Sequence, residues 1–197
     1  MAEKSTREHL IDVGVSLMHK HGYTATGLTE ILESAGVPKG SFYHHFGSKE
    51  EFAVAALARY VSREAEHCGA VLSNDKVAPL KRLQRYFGNL IKLYGQKGAI
   101  PGCMMGRFSL EVAELSSILR EHLSSSFGHW QRAIASVIRL AVEQKDLPAG
   151  TDVESLAAFL LNSWQGAIVR SQADKSDDPL NGFMHYAFEV LLKDASY

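Results

Sequence analysis

Apolar residues recur at three- and four-residue intervals along almost the whole chain, and no stretch alternates apolar and polar positions as a half-buried strand would. The pattern predicts an all-α protein. Leu10, Val13, Gly14, Leu17 and Met18 stripe a first helix that ends near His21-Gly22, with Gly22 as its C-cap. Leu28, Ile31, Leu32 and Ala35 stripe a short second helix, and Gly36 lets the backbone leave it through a left-handed conformation. Val37 then fills the angle before a third helix. That helix opens with Pro38 at its first position, where a fixed φ and a missing N–H are tolerated, and turns Phe42 and Phe46, four apart, toward the core. Ser48 and Glu51 form a capping-box pattern that starts a long helix over 49–71.

Five further helices complete the reading. Leu80, Leu83, Phe87, Leu90, Ile91 and Tyr94 share a face of one that Gly95 and Gly98 bring to an end. After Ile100-Pro101-Gly102 the spacing predicts a helix from Cys103 to Leu115. A longer one follows with Leu123, Phe127, Trp130, Ile134, Val137, Ile138 and Ala141, and 146–150 breaks it. The last two are striped by Leu156, Phe159, Leu160, Trp164, Ala167 and Ile168, and by Leu180, Phe183, Met184, Ala187, Phe188, Leu191 and Leu192. Both stripes are wide for surface helices, and Ser163, Gly166 and Ala167 are small enough to admit another helix closely, which suits self-association.

The segment from Thr26 to Phe46 therefore reads as a helix-turn-helix. With Phe42 and Phe46 inward, the outer face of its second helix is left to Lys39, Gly40, Ser41, Tyr43 and His44. Four of these carry hydrogen-bond donors for phosphates or base edges, and Gly40 allows close backbone approach. The bland alternative is a solvated helix hairpin. Against it, no acid lies between Pro38 and Lys49, so a duplex meets no repulsion there.

The chain has 197 residues and a formal net charge of −1, which argues against a protein that coats nucleic acid indiscriminately. Glu3, Glu8, Asp12, Glu30 and Glu33 nearly balance the bases of the first fifty residues, so DNA affinity has to come from a focused surface and from two copies. No run is long enough to cross a membrane and the polar N-terminus has no signal-peptide core, so a cytoplasmic protein is expected. Cys68 and Cys103 make no disulfide framework. Nine histidines lack the spacing of a metal site, and the glycines fall at helix ends instead of forming a phosphate loop. No metal or cofactor is expected. A cysteine hydrolase would need a base beside Cys103, and the sequence nominates only His122 or His129, so no enzyme is predicted. A helical interaction module without DNA or ligand would leave the acid-free face unexplained.

Cys103 sits at or just before the start of its helix, where free N–H groups and the helix dipole favour thiolate over thiol, and Arg107 lies one turn on. The alternative is a small buried apolar residue, the usual fate of a free cysteine. Cys68, mid-helix, reads as structural. A small-molecule pocket among the later helices would draw its walls from Tyr94, Cys103, Arg107, Phe108, Trp130, Trp164 and Gln165, with Arg107 as the clamp for a carboxylate.

The run AGVPKGSFYHHFGSKEEF resembles the DNA-binding motif of the TetR family of bacterial transcriptional regulators, over approximately Thr6 to Leu57. Pro38 departs from the more usual Ser or Thr. The resemblance implies a three-helix DNA-binding domain over 1–48 and a larger helical ligand-binding and dimerisation domain over 49–197. It makes Lys39, Gly40, Ser41, Tyr43 and His44 the DNA-facing set, and it adds phosphate contacts from Thr26 and Lys49. It also implies a homodimer paired through the last two helices, binding a palindromic double-stranded operator as a repressor released by a small-molecule effector, with the helix after residue 48 transmitting the change. A shorter match, from Gly98 to Glu114 and again around Trp164 to Leu180, is similar to the NemR and AcuR branch of that family. By that similarity the effector is a reactive electrophile acting on Cys103, or a reversible small carboxylate of the acrylate kind. Gln172 stands where the electrophile sensors carry a lysine.

Overall fold

The computed structural model describes residues 5–95 and 102–193, without the side chains of residues 67, 68 and 93–95. The expectations placed on Tyr94 and Cys68 fall outside the described residues. Every regular element among the described residues is helical: α1 (Thr6–His21), α2 (Leu28–Ala35), α3 (Lys39–His45), α4 (Lys49–Leu72), α5 (Pro79–Gly95), α6 (Met104–Val112), α7 (Ser117–Glu143), α8 (Val153–Asp174) and α9 (Asp178–His185). A π-helical stretch, Tyr186–Leu191, continues α9.

Two compact units partition the chain, one of Met1–Glu64 and Cys103–Ser125, the other of Ala65–Gly102 and Ser126–Tyr197. Compactness thus divides the chain elsewhere than the motif boundary at 48. In particular α6, which follows Cys103, belongs with α1, α2 and α3.

The core of the first unit follows from the periodicity. Leu10, Ile11 and Met18 of α1, Ile31 and Leu32 of α2, Phe42 of α3, and Phe52, Ala56 and Leu57 of α4 are buried. Phe42, Phe46 and Phe52 form a ring cluster with centroids 5.0–5.3 Å apart, so the apolar side of the helix-turn-helix is closed by α4. Glu8 and Asp12 of α1 pair with Arg59, and Asp12 also with Arg63, both of α4. Two of the acids that balance the N-terminal charge are thereby held on α1, off the α3 face.

In the second unit Trp164 is fully buried among Phe87 and Phe183, at centroid distances of 5.2 and 5.3 Å. Leu83, Leu90, Ile134, Ile138, Leu160, Leu180 and Leu192 complete its core.

Three elements differ from the expectation. Pro38 does not open α3 from within but precedes it as the cap, because its φ of −61° is compatible with either state and its ψ of 147° is extended. The helix expected over 103–115 stops at Val112, whose carbonyl accepts the N–H groups of both Leu115 and Ser116. Ser116 then caps α7 by accepting the Leu119 N–H at 3.0 Å. The last helix changes register, with the Leu192 N–H bonded to the Ala187 carbonyl five residues back. That repeat keeps Phe183 and Phe188, and Ala187 and Leu192, together in the buried set.

Candidate DNA interface and effector segment

The turn between α2 and α3 is built by two backbone bonds. Gly36, at φ 63° and ψ 31°, gives its N–H to Glu33, and Val37 gives its own to Leu32 at 3.0 Å, the paired closure that only a left-handed residue permits. The chain then leaves with Phe42 fully buried, which fixes the opposite side of α3 outward. Lys39, Gly40, Tyr43 and His44 are exposed and Ser41 half-buried, as the spacing predicts. Tyr43 is 54% exposed although its ring packs edge-on against Phe42, so its hydroxyl is presented on a supported side chain. No acid stands in the first turn of α3.

Thr26 and Lys49 stand differently. Thr26 is fully buried and its hydroxyl donates to the Gly22 carbonyl at 2.6 Å. Lys49 donates from Nζ to the Tyr23 carbonyl at 2.7 Å, and its ammonium lies 4.4 Å from the centroid of the Tyr23 ring. Burial lowers the Lys49 pKa, against the raising effect of Glu111, while burial and Glu50 raise that of Tyr23. A phosphate contact from either Thr26 or Lys49 would have to replace bonds that close the corner between α1 and α2.

Arg107, expected to clamp a ligand carboxylate, serves the same corner. Its Nη1 donates to the Lys20 carbonyl at 2.6 Å and to that of His19 at 3.4 Å, in the last turn of α1 where carbonyls lack partners. One turn on, Glu111 accepts the Thr24 N–H at 2.8 Å. Phe108, fully buried between them in sequence, meets the Tyr23 ring edge-on at 5.9 Å. Sequence reasoning missed Tyr23 and Glu111 altogether as functional candidates. Their signal, a backbone corner many residues away, is not local.

Cys103 is the residue before α6, with extended backbone and 5% exposure, and its carbonyl accepts the Arg107 N–H at 3.0 Å. Preceding it, Gly102 at φ 77° has no room for a Cβ, which would stand 2.2 Å from the Gln172 amide nitrogen. Trp130, Trp164 and Gln165 belong to the second unit, whereas Cys103, Arg107 and Phe108 belong to the first. Trp164 is core. Trp130 Nε1 and Gln165 Nε2 are buried donors without a hydrogen-bond partner among the described residues. Donors of that kind, each worth about 1–3 kcal/mol when left unmet, suit a ligand that brings acceptors. No cluster of three or more metal-binding side chains occurs among the described residues.

The wide stripes of the last two helices split on inspection. Leu160, Trp164 and Ile168 are buried, while Phe159 is 56% and Val169 53% exposed on α8, and Tyr186, Val190 and Leu191 are exposed beyond α9. No helix among the described residues is long and apolar enough to cross a membrane.

Comparison with known proteins supplies two family models. One for bacterial regulatory proteins of the tetR family matches residues 10–56. Another, a Tetracyclin repressor-like C-terminal domain, matches 79–187. The HTH-type transcriptional repressor DhaR of Mycobacterium sp. (strain GP1) is 36% identical over 98% of this chain and 95% of its own. The transcriptional regulator AcuR of Cereibacter sphaeroides is 32% identical over 89% of this chain and 80% of its own. The crystal structure of reduced Escherichia coli NemR superposes with a TM-score of 0.88 at 30% identity, covering 94% of this chain and 96% of that one.

Proposed function

This chain belongs to the TetR family of bacterial regulatory proteins, and from that membership we propose a dimeric repressor that leaves a palindromic operator when a small molecule acts on its effector segment. It is a transcriptional repressor that binds DNA through α2 and α3. The observation that carries the reading is the acid-free outer face of α3, Lys39, Gly40, Ser41, Tyr43 and His44, held outward by the burial of Phe42. Two such faces related by a two-fold axis read two half-sites, and the exposed apolar residues Phe159, Val169, Tyr186, Val190 and Leu191 form the pairing surface.

Release is a shift between two states. An electrophile that adds to the Cys103 sulfur must be housed at a residue only 5% exposed, and overfilling a packed site costs about 1–3 kcal/mol. That is the size of differential affinity, about 1–3 kcal/mol, by which one site controls another. The favoured state is then the one that separates the two α3 helices wrongly for the operator.

A second reading keeps the regulator and replaces the covalent step by reversible binding of a small carboxylate. Two buried donors, Trp130 Nε1 and Gln165 Nε2, favour it. Arg107 Nη1 is engaged by the Lys20 and His19 carbonyls, so a carboxylate clamped there would take the remaining N–H groups of the guanidinium. Binding to DNA from upstream of the protein's own gene tests both readings, before and after N-ethylmaleimide and in the presence of acrylate, for the wild type, Cys103→Ser and Cys68→Ser. Loss of binding that needs Cys103 and not Cys68 supports the electrophile. Indifference to the maleimide with release by acrylate supports the reversible ligand, and absence of specific binding by the untreated wild type refutes the operator assignment.

A further inference from the structure

We infer that Arg107 and Glu111 are positioning residues for DNA reading, a two-point clamp through which the state of α6 at its N-terminal end sets the corner between α1 and α2. The inference rests on the effector role proposed above for that end of α6.

The clamp pairs opposite charges with opposite backbone groups. Arg107 and Glu111 are four residues apart on one face of α6. The guanidinium meets the carbonyls of His19 and Lys20 at the negative end of α1, and the carboxylate meets the Thr24 N–H where the chain sets off toward α2. Both are charge-assisted bonds to groups that a helix end and a loop otherwise leave to water. Gly22 lies between the two grips. A Cβ there would stand 2.0 Å from Glu111 Oε1, so the carboxylate is seated directly on the backbone.

Other contacts also tie α1 to α2: His21 Nε2 lies 4.0 Å from Glu30 Oε1, and His9 Nε2 lies 3.1 Å from the Ala35 carbonyl oxygen. Lys49, at the start of α4, holds the Tyr23 carbonyl, and Thr26 holds that of Gly22. From Gly27 the chain enters α2, whose last turn leads through Gly36 into α3. A displacement of the corner therefore displaces the reading helices without any change inside them. At the other end, the Arg107 N–H bonds to the Cys103 carbonyl, so one helical turn separates the clamp from the position an adduct would disturb. This route is shorter than one along the 24 residues of α4.

A four-protein cycle, all carrying Cys68→Ser so that Cys103 is the one thiol, tests the clamp: the intact chain and Arg107→Ala/Glu111→Ala, each with native Cys103 and with Cys103→Met, and the two forms with native Cys103 again after N-ethylmaleimide. Operator affinity is read by fluorescence anisotropy, with far-ultraviolet circular dichroism to establish folding. In the intact chain the perturbation at Cys103 weakens operator binding by about tenfold or more, within the range of coupling between sites. Without the clamp, the unperturbed protein still binds the operator and the same perturbation changes its affinity by less than about twofold. Single variants Arg107→Ala and Glu111→Ala, each with part of the effect, serve if the double variant does not fold. Equal weakening with and without the clamp overturns the inference, and so does an intact chain in which neither perturbation of Cys103 alters operator binding. Failure of the unmodified intact chain to bind the operator refutes the regulator reading instead, and is seen before either arm is compared.

Discussion

Gly22 and Gly36 are both glycines at positive φ that end a helix, yet alanine at the two positions should cost different amounts. At Gly36 the backbone is left-handed, φ 63° and ψ 31°, and a Cβ would meet nothing within 4 Å, so Gly36→Ala bears only the conformational penalty of about 1–2 kcal/mol. Gly22 is at φ 88° and ψ 175°, a region essentially reserved for glycine and worth about 1–3 kcal/mol of strain for any other residue. Its Cβ would also fall 2.0 Å from Glu111 Oε1 and 2.8 Å from the carboxyl carbon. The carboxylate must leave and forfeit the Thr24 N–H, a charge-assisted bond of about 1.5–3 kcal/mol. The expected total for Gly22→Ala is about 3–5 kcal/mol, or roughly 10 °C in melting temperature for a chain of this size. Urea denaturation at fixed protein concentration measures both variants. Because the alanine already breaks the Glu111 bond, Glu111→Ala should add little in the Gly22→Ala background while costing its full amount in the wild type. Equal destabilisation by Gly22→Ala and Gly36→Ala, or strict additivity of Gly22→Ala with Glu111→Ala, would refute the seating of the carboxylate on Gly22.

Three other outcomes are expected. Lys39→Ala, exposed at the start of α3, should weaken operator binding and flatten its salt dependence by about two in the log–log slope, one phosphate contact being lost per protomer; an unchanged slope in a salt titration would remove Lys39 from the interface. Phe159→Asp should leave each chain folded and convert dimer to monomer in light scattering, since the side chain is 56% exposed in the single chain and belongs to the proposed pairing surface; an unaltered mass would place that surface elsewhere. The hydroxyl of Ser155, and then its N–H, hold the Asp152 carboxyl below the ordinary carboxylate range. A depressed native value stabilises the start of α8 at pH above the unfolded aspartate range and loses that effect as pH falls through the native value. The stability gap between wild type and Asp152→Asn should accordingly narrow in acid, and a gap independent of pH in thermal melts would contradict it.

The helices were legible because their signals are local. Leu28, Ile31, Leu32 and Ala35 declare α2 within two turns, Gly36 closes it, and Ser48 does accept the Glu51 N–H as the capping-box pattern requires, with the Glu51 carboxylate reaching back to Gly47 instead of Ser48. The outer face of α3 was legible for the same reason, since burying Phe42 and Phe46 leaves Lys39, Tyr43 and His44 no other side. The backbone partners of Thr26, Lys49 and Arg107 were not. Each has the chemistry for a phosphate or a carboxylate, and each bonds to carbonyls of the α1–α2 corner, from 4, 26 and 87 residues away respectively.

What the sequence by itself determined is the set of helices, the helix-turn-helix and the exposed outer face of α3, because apolar spacing, caps and left-handed glycines act over a few residues. Only the tertiary structure decided that α6 shares a compact unit with α1, α2 and α3, which half of the α8 stripe is core, and that Arg107 and Glu111 bond to the backbone between α1 and α2. A buried or half-buried polar group takes whatever unpaired partner the fold brings nearest, and that partner is set by packing between segments remote in the chain.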